Sequence, residues 1–147
     1  MISKAEADEK VKGKWLRVRL VFEVIGVRQD VTENALKDLL GKLERDKRVA
    51  VYNKEFSDIV KVENPAKNIK EGYSQLCEAD LVAKGLENLV GIVIEYGPSA
   101  IDVIEPAKIE LPVGEATAVA NVVSDMIHRF AAAGIGGLLF VKEKVKE

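Results

Sequence analysis

Ser124, Asp125 and His128 carry the residue types of a hydrolytic triad, with Ser124 and His128 four positions apart in a helix-forming stretch. A nucleophilic serine needs an exposed oxygen beside free N–H donors for the oxyanion, and a helix interior has none to give. Thr117, Asn121, Ser124 and His128 instead form one polar stripe, opposite the apolar residues Val119, Val122, Val123, Met126, Ile127 and Phe130. That stripe reads as solvated or facing an interface, and the catalytic residues stay unknown.

Metal chemistry has little to work with. One Cys and one His leave a zinc or iron–sulfur site to be built mostly from carboxylates, which suit harder ions. Glu78, Asp80, Glu87, Asp102 and Glu105 are the carboxylates that could gather around Mg²⁺, although acidic residues on alternate strand positions are also what a wet face carries. Neither a metal nor a cofactor is expected. Cys77, without a second Cys or a neighbouring His, reads as a small buried hydrophobe. Gly134, Gly136 and Gly137 follow a helix, where the dipole end is wrong for an anion, so they read as a helix stop. The turn Pro112-Val113-Gly114-Glu115 does precede a helix, but Glu115 already complements its dipole.

Lys and Arg, 22 in all, nearly balance 24 Asp and Glu, giving a net charge of -2, which argues against a general nucleic-acid binder. Aromatics are only 5% of the chain, and the third strand would expose Glu78, Asp80 and Lys84 where an RNA-binding sheet presents stacking rings. No apolar run reaches membrane-spanning length, and the lone Cys77 is consistent with a reducing cytoplasm. A Lys- and Glu-rich charged fraction of 31% points to a heat-adapted source.

The elements that must position these residues follow from periodicity. Residues Ser3 to Lys12 alternate in charge and read as a short helix or an arm, with no core contact specified. Leu16, Val18, Leu20, Phe22 and Val24 alternate with Arg17, Arg19 and Glu23, a strand with one face on a core. Asp30 and Glu33 then form a capping box before Leu36, Leu39, Leu40 and Leu43, predicting a helix over about Val31 to Arg45. A second strand runs from Val49 to Val62, interrupted near Asn53, and Glu63 to Gly72 reads as a loop or a hairpin tip. Cys77, Ala79, Leu81 and Ala83 mark a third strand from Tyr73 to Lys84, Leu86 to Ile94 a helix, and Ala100 to Ile104 a fourth strand. A long helix through Val119 to Phe130 and a last strand, Leu138 to Val141, close the chain before a charged tail, Lys142 to Glu147.

The order β-α-β-β-α-β within the first ~106 residues is that of the split βαβ arrangement. The chain resembles the ACT-like branch of ferredoxin-like domains, through a first strand ending Val24-Ile25-Gly26-Val27, the turn Arg28-Gln29-Asp30 and a following helix. The resemblance implies a four-stranded antiparallel sheet backed by two helices, domains that pair, and a small effector, often an amino acid, held at Gly26, Arg28, Gln29 and Asp30. No cofactor is implied.

The fold expected is therefore α+β: a ferredoxin-like βαββαβ antiparallel sandwich with an extra C-terminal helix and strand. Residues 1–14 form an arm or short helix, and 15–147 one domain, with the core at 15–106 and the extension at 107–147. Val21 and Ile25 on the face shared with Arg17 and Arg19 suggest that the second sheet face is partly covered. The functional expectation is a cytoplasmic ligand-binding, regulatory or oligomerising module without catalysis, forming a homo-oligomer. A small enzyme using carboxylates with Lys or Arg, Mg²⁺-dependent in one version, and a protein-interaction subunit stand as alternatives.

Overall fold

The computed structural model describes residues 1–134, and the chain divides into two compact units, Met1–Glu110 and Leu111–Glu147. In the first unit α1 (Lys4–Lys12) leads into β1 (Leu16–Gly26), α2 (Gln29–Arg45), β2 (Val49–Phe56), β3 (Val60–Ala66), β4 (Ile69–Ala83), α3 (Leu86–Tyr96) and β5 (Ala100–Glu105). The second unit contributes α4 (Val113–Ala132). The fold is α+β, a five-stranded antiparallel sheet with helices, in the order β2-β4-β1-β5, with β3 also paired to β4.

The period-two pattern of β1 produces the expected burial: Leu16, Val18, Leu20 and Phe22 are buried while Arg19 and Glu23 are exposed. Cys77, Ala79, Leu81 and Ala83 of β4 lie beside them on the inner face. Leu36, Leu40 and Leu43 of α2 and Leu89, Ile92 and Tyr96 of α3 complete one core with that face. Each fully buried Leu, Ile or Phe in this layer contributes about 1.5–3 kcal/mol.

Three features differ from the sequence expectation. First, α2 begins at Gln29, after Arg28 as N-cap, with no side-chain cap. The capping box fails because the helix starts before Asp30, which puts that residue inside the first turn; its carboxylate instead accepts two hydrogen bonds from the Arg28 guanidinium, at 3.1 and 2.7 Å. Second, the Val49 to Val62 segment is two strands on the same edge of β4, β2 against its C-terminal half and β3 against its N-terminal half. Ser57 joins them: its N–H donates to the Leu76 carbonyl at 2.9 Å, and its hydroxyl accepts from the Leu76 N–H at 2.9 Å. The interruption expected near Asn53 is a register shift between Val51 and Asn53, and the Glu63 to Gly72 segment is the tip of the β3–β4 hairpin, turning at Lys67 and Asn68, where Asn68 takes φ +68°. Third, α1 does contact the core unit: its Ala7 is fully buried, and the Ile2 N–H donates to the Val51 carbonyl at 3.0 Å.

A polar staple closes the helical layer. Asp46, just past α2, accepts from Arg48 Nε at 3.0 Å, from its backbone N–H at 3.0 Å, and from the Tyr96 hydroxyl at 3.0 Å. Arg48 also pairs with Glu95 of α3. These bonds, Arg48 foremost, hold the Asp46 carboxyl well below the usual range, while burial and then the Asp46 bond push the Tyr96 phenol up to about 12.

Taken by itself, α4 buries none of its residues, and Phe130 is 43% exposed. Gly134 has φ +72°, the conformation suited to a helix stop. Gly136, Gly137, the last strand Leu138 to Val141 and the tail Lys142 to Glu147 lie outside the described residues. Among the described residues no helix is long and apolar enough to cross a membrane.

Candidate functional site

The sheet face opposite α2 and α3 brings charged and exposed apolar groups together in the first unit. Its rows follow from register, because directly paired residues in an antiparallel sheet point to the same side. The row Glu105, Arg17, Val82, Ala50 is the one that α1 covers, since Val82 is fully buried and Asp8 of α1 pairs with Arg17. Arg17 is largely buried and also donates to Tyr52 Oη at 2.9 Å and to Glu105 at 3.4 Å. Those bonds, Tyr52 first, raise its already high pKa.

The next row holds Asp102, Arg19, Asp80 and Asn53. Arg19 grips Asp80 in a fork, at 2.7 and 3.3 Å, and the Asn53 amide donates to Asp80 Oδ2 at 3.2 Å. Burial alone would push the Asp80 carboxyl up, but the bonds from Arg19 and Asn53 outweigh it and the net shift is downward. Asp80 is therefore a fixed anion and a poor proton carrier.

Beyond this ion pair the face opens. Ala100, Val21, Glu78 and Glu55 form the third row, so two glutamates stand directly opposite one another on β4 and β2. Neither makes a salt bridge among the described residues, and Arg19 in the neighbouring row is paired with Asp80. Like charges so placed destabilise a sheet. Glu23 and Leu76 follow, the Ser74 hydroxyl donating to Glu23 at 2.9 Å, and then Ile25, Ser74 and Val60. Leu76 is 39% exposed and Ile25 50%. A concavity of about 260 Å³, lined by Val21, Glu55, Phe56, Ser57, Leu76 and Glu78, lies on this surface. Apolar area framed by carboxylates that lack a direct ion pair among the described residues and feel Arg19 only at longer range suits a cationic, partly apolar partner.

The turn singled out by resemblance sits elsewhere, between β1 and α2. Gly26, Arg28, Gln29 and Asp30 lie together there, and Arg28, Gln29 and Asp30 are exposed. Gly26 has a packing duty: a Cβ there would run into Thr32 Oγ1, which donates to the Arg28 carbonyl at 2.7 Å. The carboxylates considered for Mg²⁺ do not meet. Asp80 and Glu105 are held by Arg19 and Arg17, and Glu87 starts α3. Among the described residues, no three His, Cys, Asp or Glu form a metal-holding group. Cys77 is buried on the inner face, where desolvation pushes its thiol up to about 11, so little thiolate forms at neutral pH. Asp125 and His128 are exposed on α4 and Ser124 half-buried, with no side-chain hydrogen bond joining the three.

Glu55, Phe56, Ser57 and Leu76 were not singled out in the sequence. Their only signal was the shared parity of Asn53 and Glu55 with Val49 and Val51, a switch from apolar to polar within one strand.

Comparison with known proteins gives one positive finding. The model of the MJ0538 family matches residues 17–147, and the chain belongs to the MJ0538 family. No curated protein and no solved structure matches it.

Proposed function

We propose that this MJ0538-family chain is a binding module of ferredoxin-like type without catalysis of its own, and that its open sheet face receives a cationic, partly apolar segment of a protein partner. The observation that carries this reading is the facing pair Glu55 and Glu78 beside exposed Leu76 and half-buried Val21. A surface that keeps two unpaired carboxylates opposite each other gains most from an incoming Lys or Arg. A binding role is favoured over an enzymatic one because Arg17, Arg19, Asp80 and Glu105, the groups an acid–base site would use, are already committed to one another. The strand order β2-β4-β1-β5 supports the ferredoxin-like reading. The Lys- and Glu-rich composition and the Asp46–Arg48–Glu95 staple support a heat-adapted source, and the lone, buried Cys77 fits a reducing cytoplasm.

The test is a titration of the full chain with a synthetic peptide of alternating Lys and Leu, followed by amide NMR. Shifts centred on Val21, Leu76 and Glu78, lost in the Glu55→Gln/Glu78→Gln variant, support the reading. Shifts elsewhere, or equal binding by that variant, remove it.

Homo-oligomer formation belongs to α4 in this proposal. Val119, Val123, Met126 and Phe130 are spaced four, three and four apart, the seam of a helix pair, and no residue of α4 is buried. Self-pairing of the sheet face would set its glutamates against their own copies. A second reading, a small effector at Gly26, Arg28, Gln29 and Asp30, has one supporting observation: α2 starts with no side-chain cap, beside the exposed Arg28–Asp30 pair. Amide shifts confined to residues 26–30 on adding an amino acid, weakened in Arg28→Ala, would favour it.

A further inference from the structure

A second concavity, sharing no lining residue with the one on the open face, lies between the end of α1 and the segment after β5. It measures about 290 Å³ and is lined by Val11, Lys14, Trp15, Leu16, Pro106, Lys108, Ile109 and Glu110. Val11, Leu16, Pro106 and Ile109 make an apolar bed and Trp15 an aromatic wall. Lys10 Nζ stands 4.3 Å from the centre of the Trp15 ring. Two ammonium groups and one carboxylate line the cleft, and neither Lys14 nor Lys108 pairs with a carboxylate among the described residues.

The backbone at Lys14 adds a separate observation. Helix α1 ends with the Trp15 N–H donating to the Lys10 carbonyl at 3.0 Å and the Lys14 N–H to the Val11 carbonyl at 3.0 Å. That hydrogen-bond pattern places one residue in the left-handed conformation, a position glycine fills best. Gly13 stands one residue too early, at φ -82°, and Lys14 takes φ +73°. A lysine where the backbone favours glycine is unfavourable locally and persists where its side chain is used.

We propose that this cleft binds a small monoanion with a flat apolar body, an aromatic carboxylate, its ring against Trp15 and its carboxylate between Lys14 and Lys108. Glu110 on the lining disfavours dianions, because it offsets one of the two lysines that line the cleft. Recognition of this kind needs no chemistry from the protein: the bed desolvates the ring, and the two ammonium groups distinguish an acid from an amide or an amine.

Trp15 is the only tryptophan in the chain, so its emission reports on the wall of this cleft. The experiment titrates the full chain with phenylacetate, with phenylacetamide and phenethylamine as neutral and cationic probes. The expected result is a saturable change with phenylacetate, with Kd on the order of 1 mM for so small a ligand. The two other probes bind about tenfold more weakly or not at all. Lys14→Gly and Lys108→Ala each weaken phenylacetate by about tenfold. Lys14→Gly melts no lower than the parent chain, which separates loss of binding from loss of fold, and Glu110→Gln binds phenylacetate more tightly. A response that does not saturate, equal responses to the acid and the amine, or full binding by Lys14→Gly overturns the proposal.

Discussion

The repulsion between Glu55 and Glu78 is open to direct measurement by a double-mutant cycle of Glu55→Gln and Glu78→Gln. The two residues are register partners on β2 and β4, and Cβ atoms so paired are about 4.5–5.5 Å apart. Carboxylates ~6 Å apart in water repel by roughly 0.7 kcal/mol before screening. With Debye lengths of about 30 Å at 0.01 M salt and 3 Å at 1 M, that becomes on the order of 0.6 and 0.1 kcal/mol. Either single variant also loses attraction to Arg19, so its own melt mixes two effects of opposite sign. The cycle removes that ambiguity by isolating the pairwise coupling. Urea unfolding of the four proteins at both salt concentrations should give a repulsive coupling of about 0.5 kcal/mol at low salt, nearly gone at 1 M. Zero coupling at low salt, or a coupling indifferent to salt, would show that the two carboxylates avoid each other and would leave the face without its proposed attraction for cations.

Other substitutions probe the staple, the turn and the long helix. Asp46→Asn should cost about 2 kcal/mol at neutral pH, because charge-assisted bonds to Arg48 are lost from a largely buried position. The folded-state pKa of Asp46 is depressed, so its contribution is whole above the ordinary Asp value, near 4, and fades as pH falls below it. The stability gap between parent and variant, measured by denaturant at pH 7 and pH 3, should therefore narrow at pH 3; a constant gap contradicts the ion-pair reading. Gly26→Ala should destabilise by about 1–3 kcal/mol through overpacking against Thr32. Combining it with Thr32→Ala should cost less than the two separate losses added, and strict additivity would contradict the contact. Val123→Glu together with Met126→Glu should reduce the mass measured by light scattering to that of one chain, and an unchanged mass rules α4 out as the assembly seam.

Much of the first unit was legible because its signals are local. The alternation of β1 and the leucine stripe of α2 each lie within one continuous segment, and burial follows them. Helix α1 was opaque in this respect: its alternating charges hide that Ala7 is the residue it buries. The α2 start was misread for the opposite reason. Asp30 has the right spacing to Glu33 for a capping box, yet the helix starts one residue earlier, at Gln29, and the Asp30 carboxylate takes two charge-assisted bonds from Arg28 instead. The β2–β3 junction was hidden because Ser57 holds the chain to β4 through groups 19 residues away in sequence, and nothing in the local pattern anticipates that pairing.

The acidic site itself depends on a single surplus residue. Val49 and Val51 face the core and pair with Ala83 and Leu81, and an uninterrupted ladder would turn Asn53 and Glu55 inward as well, since parity is strictly two. The register shift at Tyr52 reverses that parity. Past it, Asn53 reaches Asp80 and Glu55 reaches Glu78 on the open face, while Lys54 turns to the helical layer and meets Glu44 of α2 at 2.6 Å. Tyr52 gives its hydroxyl to Arg17, so the extra residue is anchored to the buried cation under α1. Without the bulge, Glu55 would be pressed toward Glu44 and the core, a burial its charge could not tolerate. The same insertion thus removes a carboxylate from the core, supplies Glu44 with a counter-ion, and places Glu55 opposite Glu78, where the sheet itself gains nothing from it and a cationic partner does.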